Sequence, residues 1–210
     1  MAQKGKITAP HQHADQRVGI FVDVQNLYHS SKHLYSARVN YQKLVEKAVA
    51  GRKLVRSLAY VVKAEEIIAA SENNLPVGER REPKTTKSEA SFFDALEDAG
   101  LSLRVKDIQL YASGAKKADW DVGMAIDAVR SSDDLDVVIL VTGDGDFIPL
   151  VEYLRWGKGK YVEIMAFSRT TNNKLKESGD LFVALEDVPR LLIKSQRRRR
   201  PHPAPSNNQN

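Results

Sequence analysis

Two short apolar runs constrain the fold of this chain more than any other feature of its sequence. They are Arg17–Asp23 (RVGIFVD) and residues 136–142 (DVVILVT), and both are rich in β-branched residues. A nearly continuous apolar strand has to be covered on both faces, as happens in a parallel sheet between two helical layers. We therefore expect these runs to be the central strands of an α/β sheet.

Strand-like and helix-like segments alternate along the rest of the chain. Further strand candidates are residues 54–62, 101–105 and 161–166, and the last two mix polar with apolar positions, which places them nearer the edges. Apolar residues spaced by three and four predict helices that face a core. The stripes are Tyr41, Leu44, Val45, Ala48 and Val49; Phe92, Ala95, Leu96 and Ala99; Val122, Ala125, Ile126 and Val129; and Phe147, Leu150, Val151 and Leu154. This alternation predicts a mostly parallel sheet with helices on both faces.

Composition excludes several classes of protein. Cysteine is absent, which rules out disulfides, thiolate zinc sites and cysteine nucleophiles and suits a cytoplasmic protein. No apolar run approaches the roughly 20 residues that span a bilayer, and the N-terminus lacks the apolar centre of a signal peptide. We expect a soluble protein that does not enter a membrane.

The positive charge is concentrated at one end of the chain. The formal net charge is +5, yet residues 190–210 hold six cations and no acid, so the remainder is close to neutral. This end is either a phosphate-attracting appendage or a solubilising one. We expect disordered tails at 1–16 and 194–210 around a single domain at 17–193, with a polar insertion at 66–87.

Both central strands end in acids. The first runs into Asp23, and the second runs through Gly143 into Asp144 and Asp146, which flank Gly145. Ligands collect at the carboxyl ends of the strands in open α/β sheets, so neighbouring strands would bring three carboxylates into one crevice. Their repulsion favours a bound cation, and hard oxygen ligands suit Mg²⁺ or Mn²⁺. The spacing predicts a divalent-metal site.

A fourth acid is expected from the helix that begins near residue 120. Asp121 lies at the margin of its apolar stripe and can project into the crevice. Asp119 and Asp127 remain alternatives, the first also as a helix cap and the second also as a solvated residue. Asn26 and Thr142 flank the strand-end acids and are the supporting candidates.

Other site motifs are missing or incomplete. The sequence contains no GxxxxGK[ST] loop and no GxGxxG after a strand, which excludes common phosphate cradles. His29 and His33 have the i, i+4 spacing of a helical metal pair, but no glutamate lies between them. A surface or partly buried histidine pair is the preferred interpretation.

Four segments together resemble a known family. They are FVDVQNL, WDVGMAIDAV, VILVTGDGDFIPLVEYL and, more weakly, LKESGDLFVAL. Over about residues 17–189 the chain is similar to NYN domains, particularly the LabA-like group, which belong with the PIN-like nucleases. The resemblance implies a single PIN-like domain with a five-stranded sheet of order 3-2-1-4-5, which sets the two acid-ending strands side by side.

The same resemblance implies a ribonuclease that depends on Mg²⁺ or Mn²⁺. Carried over residue by residue, its acids match Asp23, Asp121, Asp144 and Asp146. Many relatives set a lysine closer to the helix acid than this chain does, so Asp119 remains an alternative to Asp121. Bound ions would activate a water and leave products with 5′-phosphate and 3′-hydroxyl ends.

RNA is the expected partner, and exposed cations near the crevice would hold its backbone. The candidates are Lys116, Lys117, Arg169, Lys174 and Lys176. A regulatory RNA- or partner-binding module with little turnover is the main alternative, while Toprim-like and DxD glycosyltransferase interpretations fit the acids less well. The sequence leaves the oligomeric state open, a homo-oligomer included.

Overall fold

The computed structural model describes residues 13–63, 87–107, 109–110, 116–117 and 120–194. Most of both predicted tails and nearly all of the predicted insertion at 66–87 lie outside these residues. None of the helices in the described part combines the length and apolar character that crossing a bilayer requires.

Strands and helices alternate along the described residues as the sequence predicts. The strands are β1 (Arg17–Asp23), β2 (Ala37–Val39), β3 (Lys53–Lys63), β4 (Ser102–Asp107), β5 (Gln109–Leu110), β6 (Lys116–Lys117), β7 (Val137–Val141), β8 (Tyr161–Ala166), β9 (Leu181–Ala184) and β10 (Leu192–Lys194). The helices are α1 (Val24–Tyr35), α2 (Tyr41–Val49), α3 (Lys87–Asp98), α4 (Asp121–Ser131), α5 (Ile148–Glu152) and α6 (Asn173–Ser178). A 3₁₀ turn (Gly145–Phe147) precedes α5, and a π-helical turn (Tyr153–Gly157) continues it.

The main sheet is parallel throughout and has the order β4-β3-β1-β7-β8-β9. The five predicted strands therefore have the predicted order 3-2-1-4-5. β1 and β7 are hydrogen-bonded neighbours, with Phe21 opposite Leu140. Two short antiparallel pairs, β2 with β10 and β5 with β6, lie apart from this sheet.

The predicted strand count was wrong, because the sheet has six strands. The additional strand, β9, is half-buried and only four residues long, so its apolar run LFVA is too short to predict a strand by itself. Because β9 pairs with β8, β8 is the second strand from that edge, and it lies nearer the edge than β1 and β7 as predicted. The polar residue that made β8 look peripheral is Glu163, which is buried and paired with Arg52.

The sheet separates two apolar layers. Alternate residues of β1 and β7 point to opposite faces: Ile20 and Ile139 join the layer under α1, α2 and α3, while Phe21 and Leu140 join the layer under α4, α5 and α6. Both central strands are almost fully buried. This double coverage explains their nearly continuous apolar sequences.

The buried face of α4 differs from the predicted stripe. Val122 is 70% exposed and Ile126 is 50% exposed, whereas Met124 and Ala128 are fully buried. The helix is therefore rotated so that its small residues and Met124 meet the sheet. Spacing alone could not place the centre of the face, because apolar residues lie on most sides of this helix.

We expect Asp136→Asn to reduce the amount by which the free energy of unfolding falls at acidic pH. Hydrogen bonds from the Arg17 side chain and backbone lower the pKa of Asp136 to about 2, below the value of about 3.9 in unfolded chains. The pair therefore stabilises the fold above about pH 4, and this stabilisation is lost as the pH falls towards 2. Both side chains are more than 40% exposed, so screening limits the effect to about 1 kcal/mol or less.

Urea unfolding at neutral pH and near pH 3 measures this contribution. The variant should lose less stability on acidification than the wild-type protein does. An identical loss in the two proteins would contradict the assignment.

Candidate metal centre

Two aspartates cap the segments that follow the central strands. Asp23 ends β1, and its Oδ1 accepts a hydrogen bond from the backbone N–H of Asn26 at 3.0 Å. Asp144 follows β7, and its Oδ1 accepts from the N–H of Asp146 at 3.0 Å. Asp23 and Asp144 therefore both act as caps, and each uses its Oδ1 for the cap.

Three carboxylates converge beside these caps. Asp121, the first residue of α4, joins Asp144 and Asp146, and one oxygen of each lies within 4.8 Å of the others. Asp121 and Asp144 are half-buried, and Asp146 is exposed. Three hard, anionic oxygen donors with one open side suit Mg²⁺ or Mn²⁺ completed by water. The residues present thus fit a divalent ion.

Asp23 lies beside this cluster rather than within it. Its Oδ2 accepts a hydrogen bond from Thr142 Oγ1 at 3.1 Å, so both of its oxygens are engaged by the protein. Burial raises the pKa of the Asp23 carboxyl, and the negative charge of Asp144 raises it further, against the hydrogen bonds from Asn26 and Thr142. Asp23 and Asp144 are therefore electrostatically coupled.

Asn26 and Thr142 join the two strand ends, where sequence analysis placed them as supporting residues. Thr142 Oγ1 donates to Asp23 and accepts from the N–H of Asp144 at 3.2 Å. Asn26 Oδ1 accepts from the N–H of Gly143 at 3.0 Å. These bonds fix the turn that carries Asp144.

Two residues that were not predicted from the sequence shape the same turn. Thr171 and Asn172 follow β8, and the N–H of Asn172 donates to the carbonyl of Gly143 at 3.2 Å. A Cβ at Gly143 would lie 3.0 Å from Thr171 Oγ1, and one at Gly145 would lie 2.6 Å from Asn172 Nδ2. The signal was available, because polar residues that follow a parallel strand reach the same sheet edge.

The family follows from a sequence comparison. The sequence model of the NYN domain matches residues 17–186, most of the chain. The chain belongs to the NYN domain family. This places it in the PIN-like nuclease superfamily, as the four segments of the sequence analysis predict.

Two relatives of this NYN domain are informative. It is 24% identical over 120 residues to the low amplitude and bright protein LabA of Synechococcus elongatus, an alignment that covers 54% of this chain and 64% of LabA. The chain thus spans just under two thirds of the length of that curated relative. It is also similar to the crystal structure of a Vibrio parahaemolyticus protein of unknown function, with a TM-score of 0.72 and 28% identity over 88% of this chain and 100% of the other.

The alternative acids of this NYN domain lie elsewhere or outside the described residues. Asp127 Oδ2 accepts hydrogen bonds from Tyr60 Oη at 3.1 Å and from Arg104 Nε at 3.3 Å. Asp127 therefore bonds to residues of β3 and β4 and is not part of the cluster of three. Asp119 lies outside the described residues.

The cations predicted to contact RNA differ in whether their side chains are exposed or bonded within the protein. Arg169 and Lys174 are exposed after β8, whereas the ammonium of Lys176 donates to the carbonyl of Ser168 at 2.6 Å and so holds the loop. Lys116 and Lys117 form β6, and their side chains lie outside the described part. His29 and His33 are exposed on α1, in agreement with a surface pair.

Trp120 anchors the start of α4 and hence the position of Asp121. Its indole N–H donates to the carbonyl of Val61 on β3 at 2.9 Å, and its ring lies 5.6 Å from that of Tyr60. A Cβ at Gly123 would lie 2.6 Å from the indole Cε3. The indole therefore packs against the first turn of α4, in a space that only glycine leaves open.

We expect Trp120→Leu to lower the free energy of unfolding by about 2–3 kcal/mol. The change removes aromatic packing and leaves the Val61 carbonyl without its indole donor. Urea unfolding measures the loss. Val122→Ala, two positions along and 70% exposed, is the control and should change stability by less than about 0.5 kcal/mol. Equal effects of the two substitutions would contradict the anchoring role.

Proposed function

We propose that this NYN domain is a divalent-metal-dependent ribonuclease that hydrolyses RNA phosphodiester bonds at the cluster of Asp121, Asp144 and Asp146. The observation that carries the proposal is the convergence of three carboxylate oxygens within 4.8 Å at the carboxyl edge of a parallel sheet. Repulsion among the three carboxylates costs free energy, and a bound cation offsets this cost. Membership of a nuclease superfamily also supports this function.

The three carboxylates would hold Mg²⁺ or Mn²⁺ through their oxygens. A divalent ion at such a site supplies Lewis-acid polarisation of a phosphate and a water that ionises near neutral pH. Asp23, the fourth acid of the predicted set, would act as a positioning residue that adds negative charge beside Asp144 and holds Thr142 in place. Its role is therefore to set both the field at the cluster and the orientation of the Asp144 turn.

The chain's own cations would bind the RNA backbone. Arg169 and Lys174 are exposed in the segment that follows β8, and Asn172 of this segment packs against the Asp144 turn. Contacts to phosphate position RNA without selecting its sequence. The cations should consequently affect binding more than they affect the rate of the bound complex.

Incubation of the full chain with an end-labelled RNA pool tests the proposal. Cleavage should occur with Mg²⁺ or Mn²⁺ and stop with EDTA, and the products should carry 5′-phosphate and 3′-hydroxyl ends. Cleavage that persists in EDTA, or that leaves 2′,3′-cyclic phosphates, would overturn it.

A regulatory RNA-binding module is the second candidate. The observation that favours it is the engagement of both Asp23 oxygens by protein donors, which leaves the fourth acid outside the cluster of three. RNA binding without cleavage across several metals and substrates would support this function over hydrolysis.

A further inference from the structure

The side chain of Asn172 lies over the turn that carries two of the three clustered acids. Its Nδ2, Cγ and Cβ are the atoms that a Cβ at Gly145 would meet, at 2.6, 3.0 and 3.2 Å. Gly145 stands between Asp144 and Asp146 in the sequence, and both of these acids belong to the cluster. The amide group of Asn172 is therefore next to the proposed metal site.

The hydrogen bonds of Asn172 fix the orientation of this amide. Its backbone N–H donates to the carbonyl of Gly143 at 3.2 Å, which holds the residue against the turn. Its Oδ1 accepts from the N–H of Lys174 at 2.9 Å and so caps α6. Because only the oxygen of an amide accepts hydrogen bonds, this cap also determines which end of the amide is Nδ2. The cap thus orients the donor end without engaging it.

The two N–H groups of Nδ2 remain available to a ligand. The side chain of Asn172 is exposed, and within the part of the chain that the structure describes no residue accepts a hydrogen bond from Nδ2. A donor that is already oriented loses little conformational freedom when a ligand binds to it. The exposed amide is therefore prepared for an acceptor that arrives at the acid cluster.

A neutral donor suits a position beside a cation site. A lysine or arginine here would pair with the carboxylates and would compete with a divalent ion for them. An amide carries no charge and does not compete, yet it can donate to the anionic oxygen of a phosphate. The chemistry of the side chain thus favours contact with a phosphate over contact with the acids.

We propose that Asn172 is a catalytic residue that donates a hydrogen bond from Nδ2 to a non-bridging oxygen of the scissile phosphate. The inference rests on the proposed function and assigns to the same site a donor for its substrate. In hydrolysis the hydroxyl of water bonds to phosphorus, the remaining proton of that water passes to the departing O3′, and negative charge increases on the non-bridging oxygens. A fixed donor beside these oxygens stabilises the transition state more than the ground state.

Asn172→Ser and Asn172→Asp separate this contact from the capping of α6. Both replacements keep an oxygen that caps a helix well, and both remove Nδ2. Cleavage by either variant with Mn²⁺ should fall by about a hundredfold, mainly in kcat rather than in KM. Asn40→Ser makes the same change at the cap of α2, in the other helical layer. It is the matched control and should keep the rate within about twofold.

Mn²⁺ binding and urea unfolding show whether the variants keep the turn. A residue that only shaped the turn would weaken Mn²⁺ binding when it is replaced, whereas a donor to the substrate would not. We expect Asn172→Ser to bind Mn²⁺ within about threefold of the wild-type affinity. Asn172→Asp should bind at least as tightly as the wild-type chain, because it adds a carboxylate of nearly the same shape. Both variants should unfold at nearly the same urea concentration as the wild-type protein.

The side-chain amide resonance of Asn172 gives a test that does not require cleavage. This signal is identified by its absence from the spectrum of Asn172→Ser. It should shift when a short oligouridylate is added to the wild-type chain in Ca²⁺, which replaces Mg²⁺ so that the RNA persists. The side-chain signal of Asn40, identified in the same way from Asn40→Ser, should stay in place.

Three outcomes would overturn the role of Asn172. They are full cleavage by both variants, a loss of Mn²⁺ binding in Asn172→Asp that matches its loss of cleavage, and an Asn172 signal that oligouridylate leaves unmoved. If the wild-type chain cleaves no RNA, the proposed function fails, and the Asn172 signal alone decides whether its amide contacts RNA. The two failures are therefore distinguishable.

Discussion

Asp144→Asn should reduce the rate of RNA cleavage by about a thousandfold or more, which corresponds to the several kcal/mol that a metal site supplies. The substitution removes one anionic donor from the cluster. Asparagine Oδ1 can still accept from the N–H of Asp146, the bond that Asp144 makes at 3.0 Å. The cap, and with it the fold, should therefore survive.

Asp94→Asn is the matched control for this prediction. Asp94 is exposed on α3, on the other face of the sheet, so the same change of charge should leave cleavage within about twofold. Single-turnover cleavage with Mn²⁺ measures both variants. An Asp144→Asn protein that keeps more than about a tenth of the wild-type rate would contradict our assignment of this residue.

Glu163→Ala should lower the free energy of unfolding by about 3–5 kcal/mol, the cost of leaving a buried charge without its partner. Glu163 is 2% exposed, and its two oxygens accept from the Arg52 guanidinium at 2.6 and 3.0 Å. Arg52 also donates to the carbonyls of Ala48 and Val49. The pair thus ties β8 to the end of α2, and its loss should be felt by the whole domain.

Asp136→Ala breaks an exposed ion pair, and its loss of stability is compared with that from breaking the buried Arg52–Glu163 pair. Asp136 pairs with Arg17 at 2.8 Å, but both side chains are more than 40% exposed, so its loss should cost about 1 kcal/mol or less at neutral pH. Urea unfolding gives both values. Similar losses in the two variants would show that the Arg52 charge finds water or another partner.

The sequence predicted best the parts of the fold that have long, continuous apolar runs. The runs of β1 and β7 are continuous because both faces are covered, and this made them recognisable as central strands. The family resemblance, rather than the runs themselves, predicted that the two strands are neighbours. β9 was not predicted because its apolar run, LFVA, is only four residues long. The face of α4 was misplaced because its orientation depends on Trp120 packing over Gly123, a tertiary contact that spacing does not encode.

The sequence could predict those residues of the candidate site that lie at the ends of predicted strands. Asp144 and Asp146 follow closely after β7, so their position at a strand end was enough to predict them. Asp121 was predicted with more help from the family resemblance, and Asp119 and Asp127 remained alternatives to it. The relation of Asp23 to the cluster was not predictable, since it depends on hydrogen bonds from Asn26 and Thr142. Asn172 follows β8 at the same sheet edge, but its contact with the Asp144 turn is a tertiary one that the sequence does not specify.

Mn²⁺ binding, followed by loss of the free-ion electron paramagnetic resonance signal, tests the central claim most directly. The claim is that Asp121, Asp144 and Asp146 form one metal site. The wild-type chain should bind Mn²⁺, and replacing any one of the three by asparagine should weaken binding by about tenfold or more. Wild-type binding no tighter than that of the triple asparagine variant would contradict the account.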